Sequence, residues 1–241
     1  MGKTMANREV ADIILYDYAT GKPFLNIDYA NMTTNEHTAT SVYAKGGKGA
    51  PNRIRFDGER TSTLKLTTQV IDFDLMAVLA GAEVNEGVNV FKREVLTAQE
   101  GGVVNLSQTP VESSITVFES NDDCGTALET SVSQKAVTIT EGNAGGEYIV
   151  YYQASGITGA KEIQFRSDSF PKAYKLVGET LFKDEASEEL LPFQIIAHKA
   201  QPQSAFSMSF SNTGDPSSFE ITFDLLADKD GKILDYVLLS E

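Results

Sequence analysis

Glycine and lysine crowd the stretch Gly46-Gly47-Lys48-Gly49, which leads through Pro51 into Arg53-Ile54-Arg55-Phe56. Open backbone amides beside a lysine are what a phosphate cradle uses, so nucleotide chemistry is the first reading to test. A nucleoside-triphosphate loop has the form G-x-x-x-x-G-K-[ST] between a strand and a helix. Here Gly49 follows Lys48, so no hydroxyl stands where a metal ion needs one. The dinucleotide spacing G-x-G-x-x-G fails at its third glycine, where Asn52 stands. The residues after Pro51 alternate as a strand does, whereas a phosphate site needs a helix N-terminus there. The plain reading is a long, flexible loop between two strands.

Other chemistry fares no better. Cys124 is the single cysteine, and Asp122 and Asp123 beside it repel the thiolate that a nucleophile needs. The two histidines are His37, in a polar stretch, and His198, at a strand end beside Lys199. Neither has zinc-ligand spacing or an evident nucleophile. Asp228-Lys229-Asp230-Gly231 has part of a calcium loop, but Leu226 and Val237 occupy the first and last ligand positions. Carboxylates are too many to single out a pair. The expectation is a protein without catalytic residues, metal or cofactor.

The chain has 241 residues, 41% of them hydrophobic, and a net charge of −14. This length suits one or two domains and allows a substantial core. Such acidity excludes a general basic face for nucleic acid, because that affinity comes from Lys and Arg displacing counterions. One cysteine permits no disulfide within the chain, which fits a reducing compartment. No apolar run approaches the ~18 residues of a membrane span. The first ten residues lack a signal-peptide core, and Ala6 breaks the myristoylation pattern. The expectation is a protein made in the cytoplasm, without membrane binding.

The elements that would position functional groups are mostly strands. Period-two alternation marks Asp12–Tyr16, Arg53–Asp57 and Thr63–Thr67, with Asp57-Gly58 reading as a turn between the last two. It recurs at Ala205–Phe210 and Phe219–Leu225, where Phe206, Met208, Phe210, Phe219, Ile221 and Phe223 would pack inward. Ser207, Ser209, Glu220, Thr222 and Asp224 then form a wet, small or acidic face. Asp230-Gly231 suggests a closing hairpin. One helix interrupts the strands, with Asp72 as N-cap, Asp74 in its first turn and Gly81 as its left-handed stop. Phe73, Met76, Ala77 and Ala80 share a face, which Leu75 and Leu79 widen. Residues 100–160 turn rich in Gly, Ser, Thr and Val, with short strands at Ser114–Phe118, Ala136–Thr140 and Glu147–Gln153. They read either as an inserted β subdomain or as more strands of one domain spanning 1–241. Ile163–Phe165, Ala173–Phe182 and Pro192–Lys199 read as further strands.

The order of these pieces resembles the major tail tube proteins of long-tailed bacteriophages. The resemblance rests on "NRIRFDGERTSTLKL", on the helix "FDLMAVLAGA" directly after it, and on "GDPSSFEITFDLLAD". It covers residues 10–85 and 165–230. It implies a mainly β fold: a β-sandwich or partial barrel flanked by one short helix, its inner sheet completed into a large barrel by ring oligomerisation. It implies a virion protein whose rings, usually of six, stack into a tube through which DNA passes at ejection. Its implied partners are itself, the tape-measure, baseplate or tail-tip and terminator proteins, and in contractile tails a sheath. About six subunits giving about four strands each, at ~4.8 Å, make a circumference of ~115 Å and a bore of ~37 Å, wide enough for a duplex. In this setting Tyr43, Lys45, Gly46, Gly47, Lys48, Gly49, Pro51, Arg53 and Arg55 become an assembly arm. The face of Ser207, Ser209, Glu220, Thr222 and Asp224 becomes a candidate lumen. Phe73, Leu75, Met76 and Leu79 pack the helix. The alternative is a capsid decoration protein or surface-binding β-sandwich module.

Overall fold

The computed structural model describes residues 4–214 and 216–239. Five strands open the chain: β1 (Met5–Asn7), β2 (Asp12–Asp17), β3 (Pro23–Ile27), β4 (Met32–Lys45) and β5 (Asn52–Thr68). The helix α1 (Phe73–Ala80) follows β5. Next come β6 (Asn85–Glu86), β7 (Val90–Thr97), β8 (Val103–Asn105) and β9 (Thr116–Glu119). Then follow β10 (Thr130–Ser133), β11 (Ala136–Ile139), β12 (Glu147–Ala154) and β13 (Lys161–Glu162). The last strands are β14 (Tyr174–Asp184), β15 (Leu190–Pro202), β16 (Phe219–Leu226) and β17 (Leu234–Leu238). The protein is mainly β, with α1 the one α-helix among the described residues.

These elements form two compact units. One joins the chain up to Glu83 with the chain from Ile163 onward, and the other is Val84–Glu162. The second unit is a small sandwich of two three-stranded sheets, β7-β12-β9 and β10-β11-β8. Val104, Val137 and Ile139 from one sheet share a core with Val117, Val150 and Tyr152 from the other. It begins before residue 100, where the composition changes, because β7 pairs along its whole length with β12 and supplies one edge of this core.

The first unit is one nine-stranded sheet, ordered β3-β2-β14-β15-β16-β5-β4, with β1 added to β14 and β17 to β15. Alternation along β16 buries Phe219, Ile221, Phe223 and Leu225, leaving Glu220 exposed and Thr222 and Asp224 half-buried. Ile13 and Leu15 of β2 share that core with Leu64 and Leu66 of β5, although three strands separate β2 from β5 in the sheet. The sheet must therefore curl until its two ends face each other. Across the curl, the Thr33 hydroxyl donates to the Ala11 carbonyl at 3.2 Å. The curl does not close into a barrel.

α1 caps this core. The Asp72 carboxylate accepts from the Asp74 N–H, and Gly81 ends the helix at φ 62°. A side chain at Gly81 would meet the Phe170 backbone at 2.3 Å, so glycine is required there for space as well as conformation. Leu75, Val78 and Leu79, spaced three and four apart, form the face packed on the sheet. Leu75 and Leu79 belong to the face expected from the sequence, but two of its members are corrected: Phe73, at the first helical position, is 38% exposed, and Met76 is only half-buried. The short helix offers two overlapping apolar stripes, and the aliphatic one faces the sheet.

Three local expectations are also corrected. Asp57-Gly58 is not a turn: β5 runs through it as a bulge, one residue longer than β4 between Ala39↔Arg60 and Ser41↔Asp57. A Cβ at Gly58 would lie 2.5 Å from the Thr40 hydroxyl, which explains the glycine. β16 and β17 do not form a hairpin, because β15 and β5 already occupy both edges of β16. β17 instead pairs further along β15. Ala205–Phe210 and Ile163–Phe165 are not strands. Phe206 turns inward against Phe219, with ring centroids 5.4 Å apart, whereas Phe210 is 88% exposed.

Candidate functional site

β4 and β5 pair from Met32↔Thr67 to Lys45↔Asn52, but β16 flanks β5 only over Ser62–Thr68. Beyond Ser62 the hairpin leaves the sheet as an arm, and every residue from Asn52 to Thr61 is exposed. The glycine-rich stretch is the closed tip of this arm, which corrects the expected long loop. The Gly46 N–H donates to the Pro51 carbonyl at 3.3 Å, and the Ala50 N–H to the Gly47 carbonyl at 3.1 Å. Gly47 and Gly49 hold φ near 90° and 82°, which their neighbours with side chains could adopt only under strain. The Arg53 side chain lies across the tip, close enough that a Cβ at Gly47 would sit 3.4 Å from its guanidinium.

The arm has two unlike faces. Val42 opposes Phe56, and Ala44 opposes Ile54, so these four apolar residues share one face. Val42, Ile54 and Phe56 are 68%, 56% and 55% exposed. Tyr43 and Arg55 oppose each other on the other face, where Arg55 pairs with Asp57. Lys45, Lys48 and Arg53 at the tip have no carboxylate partner among the described residues. A lone two-stranded hairpin is marginal in water. This one also exposes an apolar stripe and a cationic end, which is the chemistry of a surface awaiting a partner. Sequence reasoning picked out the tip cations but took Ile54 and Phe56 as ordinary strand packing. Val42 carried no signal of its own, because only the pairing register puts it beside Phe56.

Where the hairpin rejoins the sheet, the outer face of β16, β5 and β4 is polar. Thr222 lies between strands opposite Lys65, and Asp224 opposite Thr63. On β4, Thr34 and Glu36 oppose the same two β5 residues. The Lys65 ammonium lies 3.1 Å from the Glu220 carboxylate. This face therefore brings together Glu220, Thr222 and Asp224 but not Ser207 or Ser209, which lie outside any strand. Lys65 was missed as a member because it belongs to a strand distant in sequence. The result is three carboxylates and one ammonium on a bed of threonines.

One constellation looks like catalysis. The Ser62 hydroxyl lies 2.6 Å from His37 Nδ1, and His37 Nε2 lies 2.7 Å from the Tyr236 hydroxyl. Tyr236 donates to the Asn35 side-chain oxygen, and the Asn35 amide donates to the Thr63 carbonyl at 2.9 Å. Tyr236 spends its proton on Asn35, so it accepts from Nε2–H. Nδ1 is then left to accept from Ser62. Each donor then meets an acceptor, and burial pushes the Tyr236 phenol up. The third member is a phenol rather than the carboxylate that would stabilise an imidazolium. The network ties β17 to the root of the arm, beside a cleft of about 440 Å³. His198 similarly holds β17 through Asp235 at 2.8 Å. Asp228 is held below the usual carboxylate range by the N–H of Lys232, then by that of Asp230.

In the second unit, Arg93 donates to Asp123 at 2.8 Å and to the Tyr151 hydroxyl at 3.0 Å, and the hydrogen bond from Arg93 holds Asp123 low. Cys124 is exposed beside them. No group of three or more His, Cys, Asp or Glu among the described residues could hold a metal ion.

Comparison with curated proteins returned no match. Comparison with family models matched residues 7–238 to the YomU/Tube protein family. The match spans both units, and it agrees with the tail-tube resemblance of the sequence. A chain matched over nearly its whole length, with a curled open sheet and an uncovered arm, belongs to the YomU/Tube protein family.

Proposed function

We propose that this chain is a structural protein of a phage tail that closes into rings, about six copies each, and stacks them into the tube through which DNA leaves. The observation that carries this is the arm. An exposed hairpin with an apolar stripe and unpaired cations has a physical reason to exist only when something covers it, and a tube supplies many identical copies to do so. Free sheet edges at β3 and β4 support ring closure, since neighbouring copies could continue the sheet there. The outer face of β16, β5 and β4 is the candidate lumen. Its excess of carboxylates over ammonium groups would let a polyanion slide rather than hold it. The inserted Val84–Glu162 sandwich adds strands but supplies neither the arm nor this face. Tape-measure, tail-tip and terminator proteins, and a sheath in a contractile tail, are the partners this role requires.

The test is electron microscopy of the concentrated protein beside a variant lacking Gly46–Gly49. Rings or tubes from the intact chain and a folded, unassembled variant are expected. Long tubes from the variant would show that the arm is not the stacking element. A chain that stays monomeric at all concentrations would count against the tube.

A further inference from the structure

A cationic, apolar arm needs an acidic, apolar seat, and the same chain carries one at the other end of the same strand. β5 runs from the tip at Asn52 to Thr68, and the chain then passes through Gln69, Val70 and Ile71 into α1. Val70, Ile71 and Phe73 are 56%, 40% and 38% exposed, three large apolar side chains within four residues. Asp72 and Asp74 are interleaved with them, and neither has a cationic partner among the described residues. This cluster mirrors the arm, where Val42, Ile54 and Phe56 stand beside Lys45, Lys48 and Arg53. The two surfaces are complementary in charge and alike in apolar content. They sit at opposite ends of one seventeen-residue strand, so they cannot meet within one molecule.

We propose that the arm of one copy seats on the 69–74 segment of the next copy, which makes this segment the socket for stacking. This rests on the tube reading and deepens it by naming the receiving surface. The contact is head-to-tail: each copy offers an arm at one end and a socket at the other, so the assembly has no internal stop and grows as a filament. The geometry also sets the repeat. Ile54 to Thr68 is fourteen steps of β5, which at ~3.3 Å each is ~46 Å, and the connection to Ile71 brings the span to ~50 Å. With strands tilted by ~35–45°, as in closed barrels, this projects to ~40 Å along the tube. The cations and carboxylates also fix direction. An arm meeting another arm, or a socket another socket, would place like charges together.

Crosslinking tests it. In a Cys124→Ser background, chains carrying Ile54→Cys and chains carrying Ile71→Cys, with different tags, are mixed, assembled and treated with a short bis-maleimide. Crosslinks joining the two tags are expected in tubes and absent in unassembled protein. Pairing Ile54→Cys with Phe91→Cys, a more accessible position than Ile71 at 82% against 40% exposure, should give none. Tubes without a 54–71 crosslink above that control would overturn the socket while leaving the tube reading intact. Failure of the unmodified chain to assemble would overturn both. Should either cysteine itself block growth, a charge exchange decides: Lys48→Glu is expected to raise the concentration needed for assembly at least fivefold. Adding Asp74→Lys should recover most of that loss, and no recovery would overturn the pairing. An axial repeat well beyond ~50 Å would do the same, because the arm could not reach.

Discussion

Truncating Phe56 to alanine isolates the contribution of the arm's apolar stripe to assembly. Phe56 faces Val42 across the hairpin and is 55% exposed. Burying a phenylalanine fully stabilises by ~1.5–3 kcal/mol, so covering the half still in water stabilises by ~1–1.5 kcal/mol per arm. For a tube exchanging single subunits, the critical concentration follows the free energy of adding one subunit. At ~1.4 kcal/mol per factor of ten, Phe56→Ala should raise it about five- to twelvefold. If a preformed ring of about six is the species that adds, six arms seat together and the rise exceeds about ten-thousandfold. Pelleting tubes across a dilution series and assaying the supernatant separates these cases. The melting temperature of the unassembled variant should stay within ~1 °C of the parent, because Phe56 lies outside the hydrophobic core. An unchanged critical concentration would refute the stripe as a stacking surface. A matching loss of melting temperature would show that Phe56 acts on folding instead.

Replacing both Glu220 and Asp224 with lysine should leave the fold intact, since the Lys65–Glu220 pair is half exposed and such pairs contribute only ~0–1 kcal/mol. It would line a six-copy ring with about a dozen new cations and slow genome release per particle over time, and unaltered release would show that this face is not the lumen. Leu75→Ala or Leu79→Ala, each removing a fully buried side chain, should cost ~2–5 kcal/mol in denaturant unfolding. An unchanged midpoint would show that α1 does not seal the core. In the second unit, burial alone would raise Glu94, but hydrogen bonds from Ser107 and Tyr152 outweigh it and hold its carboxyl below the ordinary value. A depressed carboxyl stabilises the folded state above its unfolded value of 4.5, and that stability is lost as pH falls through the lower folded value. Glu94→Gln should therefore flatten the acid limb of the stability curve below about pH 4.5, measured by thermal unfolding; an unaltered limb would refute this role.

Alternation and capping rules are local, and local rules were legible. Residues 219–225 announced β16 and its buried face, and Asp72 and Gly81 bracketed α1, because each depends on neighbours within a few positions. The failed phosphate motif was equally clear, since a strand rather than a helix follows the glycines. Which strand partners which is a long-range matter, and there the sequence fell silent or misled. Asp230-Gly231 looked like a hairpin turn, yet β16 had no free edge to offer. Asp57-Gly58 looked like a turn, yet β4 was long enough to pair straight past it and absorb the extra residue as a bulge. Ala205–Phe210 alternated as a strand should, yet it pairs with no strand of the sheet. The arm shows the division most plainly. Its cations and glycines could be read from residues 45–55, whereas its apolar stripe exists only because register sets Val42 beside Phe56 and Ala44 beside Ile54. Pairing joins residues far apart in the chain, so it is decided by which edges remain open once the whole sheet has formed.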